Sequence, residues 1–283
     1  MKRLHATLER IRDNITPLMR GYDLNIVYKA IMYSIVYAAL ARNPKYHDYS
    51  SLRPIEDKLP KPLIARAKGK LYYSFLDLLE LLDRLLDSRS AAIVEGEGNL
   101  QVIINWLKRE VGKIDYVLIY DCMSLVEFLV VAAYLQSKKI KSVFLSRVFL
   151  NPPGLTRFLT QQLRTVHRYE ALREVAGLIA ETLKGVGYAK DSYLDKKVHE
   201  YGGLGIDEFL EIVDINRVAD EILKQAVKGR ILVGTDHGYD VVKAVEEDYI
   251  YVTHGFKPRE TYNVIPLLLL SRFALFMEAC RRW

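Results

Sequence analysis

The first 88 residues carry apolar side chains at helical spacing. Apolar positions recur every three or four residues over 4–42, and Pro17 predicts a break that leaves one or two helices. Residues 43–62 contain four prolines and predict an irregular connection. Over 71–86 apolar residues recur on most turns with charges between them, which predicts another packed helix. We therefore expect a helical subdomain over residues 1–88.

From residue 89 onward, short apolar runs alternate with helical segments. The predicted strands span residues 91–95, 116–120, 142–146, 231–235, 249–253 and 265–270. The predicted helices span residues 124–136, 165–184 and 206–227. This alternation is typical of an α/β domain, here over residues 89–283, in which a largely parallel sheet is covered by helices on both faces. Such sheets bind ligands at the carboxyl ends of their strands, so this half is expected to carry the chemistry.

Composition and charge narrow the class of protein. Forty-one Lys and Arg against 35 Asp and Glu give a net charge of +6, which favours anionic partners such as phosphates. The sequence lacks the basic run with interleaved aromatics that is typical of a nucleic-acid binder. Two cysteines, Cys122 and Cys280, cannot form a disulfide framework, which fits a reducing compartment. We expect any metal ion to use Asp and His as ligands.

The apolar stretch over residues 24–41 raises the question of a membrane. It includes Asn25 and Lys29 and barely reaches the length that a bilayer requires, so we expect a buried helix and no membrane association. The N-terminal residues are basic but lack the apolar core of a signal peptide. The expected location is the cytoplasm.

Polar residues follow three of the predicted strands. Asp121 follows YVLIY, Asp236-His237-Gly238 follows ILVGT, and His254-Gly255 follows YIYVT. Each has an ordinary structural alternative, because Asp is a preferred helix N-cap and Asp-His-Gly is a common turn. Three successive strand ends that carry metal-ligand side chains nevertheless favour a metal site.

Further candidate ligands lie between these strands. In the D-x-x-x-H spacing of Asp195 and His199, both side chains fall on one side of a helical turn, although a surface helix also produces it. Two divalent ions need about seven or eight ligands, and three Asp and three His supply six. The seventh is Thr156, whose hydroxyl would double as a nucleophile; its alternative is a helix N-cap. Thr160 and Ser124 are the competing hydroxyls for the nucleophile role. This borderline ligand set favours zinc, with manganese second.

Taken in chain order, these seven residues resemble the ligand set of the alkaline phosphatase superfamily, in particular of its nucleotide pyrophosphatase/phosphodiesterase branch. The PglZ domain is most similar to three segments of this chain, YDCMSLVEF, TDHGYDV and VTHGFKPRETYNVIPLLLL. The resemblance covers residues 114–272. It implies a mixed, mainly parallel sheet with helices on both faces and two adjacent metal sites. One site would use Asp121, Thr156, Asp236 and His237, and the other Asp195, His199 and His254.

The resemblance also implies an activity. A two-metal phosphohydrolase, foremost a phosphodiesterase, would act on a nucleotide, an oligonucleotide or a nucleic-acid end, with Thr156 forming a phosphothreonine intermediate. PglZ domains usually carry Arg three residues after the first Asp, where this chain has Ser124, and Arg157 is a candidate replacement. The alternative is a catalytically inactive PglZ-like scaffold whose N-terminal helices dock a protein partner.

Overall fold

The computed structural model describes residues 2–42, 50–87, 99–160, 163, 168–245, 249–255 and 264–281. The strand predicted over residues 91–95 and the predicted domain boundary at residue 88 lie outside these ranges.

Helices occupy most of the first 110 residues and then alternate with strands. In chain order they are α1 Lys2–Ile15, α2 Leu24–Ala41, α3 Arg53–Asp57, α4 Lys61–Arg66, α5 Tyr72–Asp87, α6 Asn99–Glu110, α7 Leu125–Ser137, α8 Arg157–Thr160, α9 Arg168–Thr182, α10 Tyr193–Tyr201, α11 Ile206–Ile212 and α12 Ile215–Lys228. The predicted break at Pro17 is confirmed, because α1 ends at Ile15 and a 3-10 turn follows over Thr16–Arg20. The single helix predicted over 206–227 is wrong: the chain breaks before Asp214, whose side chain caps α12.

The strands of the described residues form three separate sheets. They are β1 Tyr116–Tyr120, β2 Lys141–Phe144, β3 Phe149–Leu150, β4 Gly187–Asp191, β5 Ile231–Thr235, β6 Asp240–Ala244, β7 Ile250–Thr253, β8 Val264–Leu269, β9 Phe273–Ala274 and β10 Phe276–Cys280. The main sheet has the order β2-β10-β5-β1-β4, β6 lies between β7 and β8 in a second sheet, and β3 pairs with β9. The predicted strands over 249–253 and 265–270 therefore lie in the second sheet.

The main sheet is mixed and partly parallel. β1 pairs in parallel with both β4 and β5, whereas β10 is antiparallel to both β5 and β2. The sequence pattern did not predict β4, β6 or β10. In β10 the apolar run is interrupted by the buried Glu278, whose carboxylate accepts a 2.8 Å bond from Arg230 Nε. In β4 the residues are only partly buried because the strand lies at the sheet edge.

Helices cover both faces of the main sheet. Along β1, Val117 and Ile119 belong to a core shared with α6 and α9, whereas Leu118 and Tyr120 belong to a core shared with α7 and α12. This alternation is the period-2 geometry of a strand that is buried on both sides.

The N-terminal helices share the second of these cores. α1 and α2 both pack on α7, and their apolar residues continue into the same buried cluster. α2 is long and apolar enough to span a bilayer by length and composition, but 72% of it is buried inside the structure. The predicted burial of this helix is confirmed. The division into two domains stays a prediction.

Candidate metal centre

The site begins where β1 ends. The backbone N–H of Asp121 donates to the Asp191 carbonyl at 2.8 Å, which extends the β1–β4 pairing by one residue and fixes the start of the loop. Asp121 is not the N-cap of α7, because that helix begins after Ser124. The carboxylate of Asp121 is therefore not used as a cap, and it faces the loops that follow β3 and β5.

A first group of side chains, which we call the Thr156 group, contains Asp121, Thr156, Asp236 and His237. Thr156 Oγ1 lies 3.4 Å from Asp121 Oδ1 and 3.3 Å from His237 Nε2. His237 Nε2 in turn lies 3.5 Å from Asp236 Oδ2 and 3.8 Å from Asp121 Oδ1. Three loops thus bring one hydroxyl, one imidazole and two carboxylates together.

Asp236 shows that this group fits a cation. Its side chain is 0% exposed, and neither carboxylate oxygen has a hydrogen-bond donor within the described residues. Burial raises the pKa of Asp236 to about 6; the positive charge on His237 opposes the rise and the nearby Asp121 carboxylate adds to it. An unsatisfied buried carboxylate is costly unless a cation compensates it, so these donors match the preference of a divalent ion for oxygen and imidazole ligands.

A second group, the His199 group, contains Asp195, His199 and His254. Asp195 and His199 are one turn apart on α10, as their spacing predicts, with 3.5 Å between Oδ1 and Nε2. His254 follows β7, and its Nε2 lies 3.5 Å from Asp195 Oδ1 and 2.9 Å from His199 Nε2. The side chain of His199 is 62% exposed, so this group opens to solvent, whereas His237 is buried.

The two groups lie next to each other. The rings of His237 and His254 stack with their centroids 5.1 Å apart. Burial, His237 and His199 lower the pKa of His254 to about 4. Burial alone would lower the pKa of His237, but Asp236 and the backbone carbonyl of Gly238 raise it. Burial and the Asp121 carboxylate raise the pKa of Asp195. The carboxylates thus favour positive charge at His237, whereas His254 stays neutral, which is the form of imidazole that ligates a metal.

The loop that carries Thr156 is held by Asn151. The Asn151 amide is buried and donates to the carbonyls of Asp236 at 2.9 Å and Leu155 at 3.1 Å. Gly154 has φ +61°, and a Cβ there would lie 2.9 Å from Ser271 Cβ. Since few L side chains adopt that conformation, glycine lets the loop turn Thr156 toward the carboxylates.

The other hydroxyls considered as nucleophiles are occupied elsewhere. Ser124 is the N-cap of α7 and forms a capping box with Glu127. Thr160 Oγ1 donates to the Thr156 carbonyl at 3.1 Å. Arg157, the candidate replacement for the arginine that PglZ domains carry, is exposed at the start of α8.

Sequence reasoning missed three neighbours of the site. Lys190 Nζ lies 3.4 Å from Asp121 Oδ2, and its side chain is only 15% exposed. Ser192 Oγ donates to the same oxygen at 3.3 Å. Both flank the end of β4, which the pattern did not predict. The buried Cys122 places its thiol near Asp195 and His254, within reach of a shared ion. Its position directly after Asp121 was the available signal, and Cys122 is therefore a further candidate ligand beside Asp and His.

The structure thus brings all seven residues singled out in the sequence into two adjacent groups. No family model, no curated protein and no solved structure matches this chain.

Proposed function

We propose that this chain is a metal-dependent phosphohydrolase, foremost a phosphodiesterase acting on nucleotides or nucleic-acid-derived diesters. The supporting observation is the convergence of three aspartates, three histidines and one threonine hydroxyl from α10 and from the ends of several strands. A single Asp-His pair occurs often by chance. Seven such residues, divided between a buried and an exposed group, favour a two-metal site of the kind that phosphatases and nucleases use.

The proposed holders of one ion are Asp121, Thr156, Asp236 and His237, and those of the other are Asp195, His199 and His254. Zinc fits this ligand set best and manganese second. Divalent ions bound there would lower the pKa of the attacking hydroxyl and neutralise charge on the phosphoryl oxygens.

Thr156 is the proposed nucleophile. Its Oγ1 lies 3.4 Å from Asp121 Oδ1 and 3.3 Å from His237 Nε2, the nitrogen that an ion would use. In the attack on phosphorus the hydroxyl loses its proton to the Asp121 carboxylate and an oxygen–phosphorus bond forms. The bond to the leaving alcohol breaks as that proton passes to the leaving oxygen. Water then cleaves the phosphothreonine and regenerates the hydroxyl.

Charge and access are consistent with an anionic ester. Lys190 adds a cation beside Asp121, and the net charge of the chain is +6. Substrate and water would approach the half-buried Thr156 from the side of the exposed His199. A diester carries one negative charge where a monoester carries two, and the one lysine that lies beside Asp121 within the described residues fits the smaller charge better.

Metal analysis combined with turnover tests this proposal. The purified protein should bind up to two zinc or manganese ions and hydrolyse the p-nitrophenyl ester of a nucleotide faster than p-nitrophenyl phosphate. Faster hydrolysis of the monoester would reverse the substrate class. Metal binding without turnover of either ester would support the scaffold alternative, and no binding of zinc or manganese would contradict both the metal site and the mechanism.

A further inference from the structure

A buried carboxylate is hydrogen-bonded to the two loops that carry Asp121 and His237. Glu127, on α7, is 0% exposed and accepts four hydrogen bonds within the described residues. Its Oε2 accepts from the backbone N–H of Ser124 at 2.9 Å and from the Ser124 hydroxyl. Its Oε1 accepts from the hydroxyls of Tyr28 and Tyr239. These donors are all uncharged, so the cluster is held by hydrogen bonds.

The two oxygens of Glu127 hold two different ligand-bearing loops. Ser124 lies three residues after Asp121, and Tyr239 lies two residues after His237. One carboxylate therefore connects the loop after β1 with the loop after β5. Tyr28 donates to the same oxygen as Tyr239 but comes from α2, which carries no candidate ligand.

The backbones of these loops also touch. Cys122 Sγ donates to the Gly238 carbonyl at 3.3 Å. A Cβ on Gly238 would lie 2.9 Å from Ser124 Cα and 2.8 Å from the Leu270 carbonyl, so only glycine allows this approach. Across these two loops, Asp121 Oδ1 and His237 Nε2 lie 3.8 Å apart.

We propose that Glu127 and Tyr239 are positioning residues that set the separation of Asp121 from His237, and so the metal affinity of the Thr156 group. The consequence of this positioning role for metal binding rests on the proposed function. Groups that orient metal ligands from behind typically change metal affinity by about 10- to 100-fold when they are removed. A purely structural cluster would instead support the fold without affecting the metal.

The chain offers a matched pair of variants. Tyr239→Phe and Tyr28→Phe each remove one hydroxyl that donates to Glu127 Oε1, from a fully buried ring of the same size. Both should lower resistance to urea by a similar amount. We expect Tyr239→Phe alone to weaken zinc binding, by about 10-fold or more, with Tyr28→Phe within about threefold of the parent, as measured by competition with a chromophoric chelator.

Crystal structures of the metal-free variants give a readout independent of metal. The separation of Asp121 Oδ1 from His237 Nε2 should change in Tyr239→Phe and stay at its parental value in Tyr28→Phe. An unchanged separation in Tyr239→Phe, or equal weakening of zinc binding by both variants, would overturn the positioning role. A parent protein that binds no zinc or manganese overturns the proposed function instead, and the structural comparison still decides the positioning role.

Discussion

The hydroxyl of Thr156 lies 3.4 Å from the carboxylate of Asp121, although 35 residues separate them along the chain. Of the three hydroxyls that the sequence offered as nucleophiles, this one faces the candidate metal ligands. Ser124 caps α7 and Thr160 bonds back to the Thr156 carbonyl. The nucleophile assignment can therefore be tested against neighbours of similar chemistry.

Replacement of Thr156 by alanine should abolish most turnover while the fold persists. Six other candidate ligands remain, so most metal should still bind, yet the loss of a nucleophile should lower kcat by about three orders of magnitude or more. Thr156→Ser should retain part of the activity because a primary hydroxyl forms the same bond to phosphorus. Thr160→Ala is the control and should stay near the parent. Activity of Thr156→Ala within a few-fold of the parent would reject the assignment.

The two groups should lose metal separately. His237→Ala removes an imidazole from the Thr156 group, and His199→Ala removes one from the His199 group, so each should deplete mainly one ion per chain. His5→Ala, on α1 and in neither group, is the control. Elemental analysis of protein purified without chelator measures the stoichiometry. Unchanged metal content in both ligand variants would show that the ions, if bound, use other residues.

Gly154→Ala should destabilise the protein and displace Thr156. The backbone of Gly154 has φ +61°, and the added Cβ would collide with Ser271, so a loss of about 1–3 kcal/mol in the free energy of unfolding is expected. Gly203→Ala is a matched control, since a Cβ there meets nothing within 4 Å. Urea denaturation of both variants provides the comparison, and equal stability would contradict the structural role of Gly154.

Asp236 should make the stability of the metal-free protein depend on pH. Its pKa in the folded state is about 6, above the ordinary value of about 3.9, so the folded state binds more protons between these pH values. Stability from this group is therefore lost as pH rises from about 4 to about 6. Asp236→Asn should gain stability relative to the parent across that window, by up to about 3 kcal/mol.

Urea titrations in the presence of a chelator, at several pH values between 4 and 7, measure this difference. Asp87→Asn, an exposed carboxylate at the end of α5, controls for the loss of a charge. A constant offset between Asp236→Asn and the parent across the window would show that folding does not raise the pKa of Asp236.

The local sequence pattern alone determined the bounds of several strands and helices and singled out the candidate ligands. The buried strands β1 and β5 have the predicted bounds, because a short, mostly apolar run between charged residues fits a strand buried on both faces. The polar residues at their ends, Asp121, Asp236 and His237, could be singled out as candidate ligands for the same reason. The i,i+4 spacing placed Asp195 and His199 together, since one helical turn fixes that geometry.

Only the tertiary structure decided how these pieces meet. β4 is half-exposed, and β10 contains a buried Glu278 that pairs with Arg230, so neither strand has the apolar run that predicts a buried strand. Lys190 contacts Asp121 because it lies on β4, next to the end of β1. The four bonds to Glu127 join residues from α2, α7 and the loop after β5. Such contacts arise from packing between distant segments, and no local periodicity records which segments become neighbours.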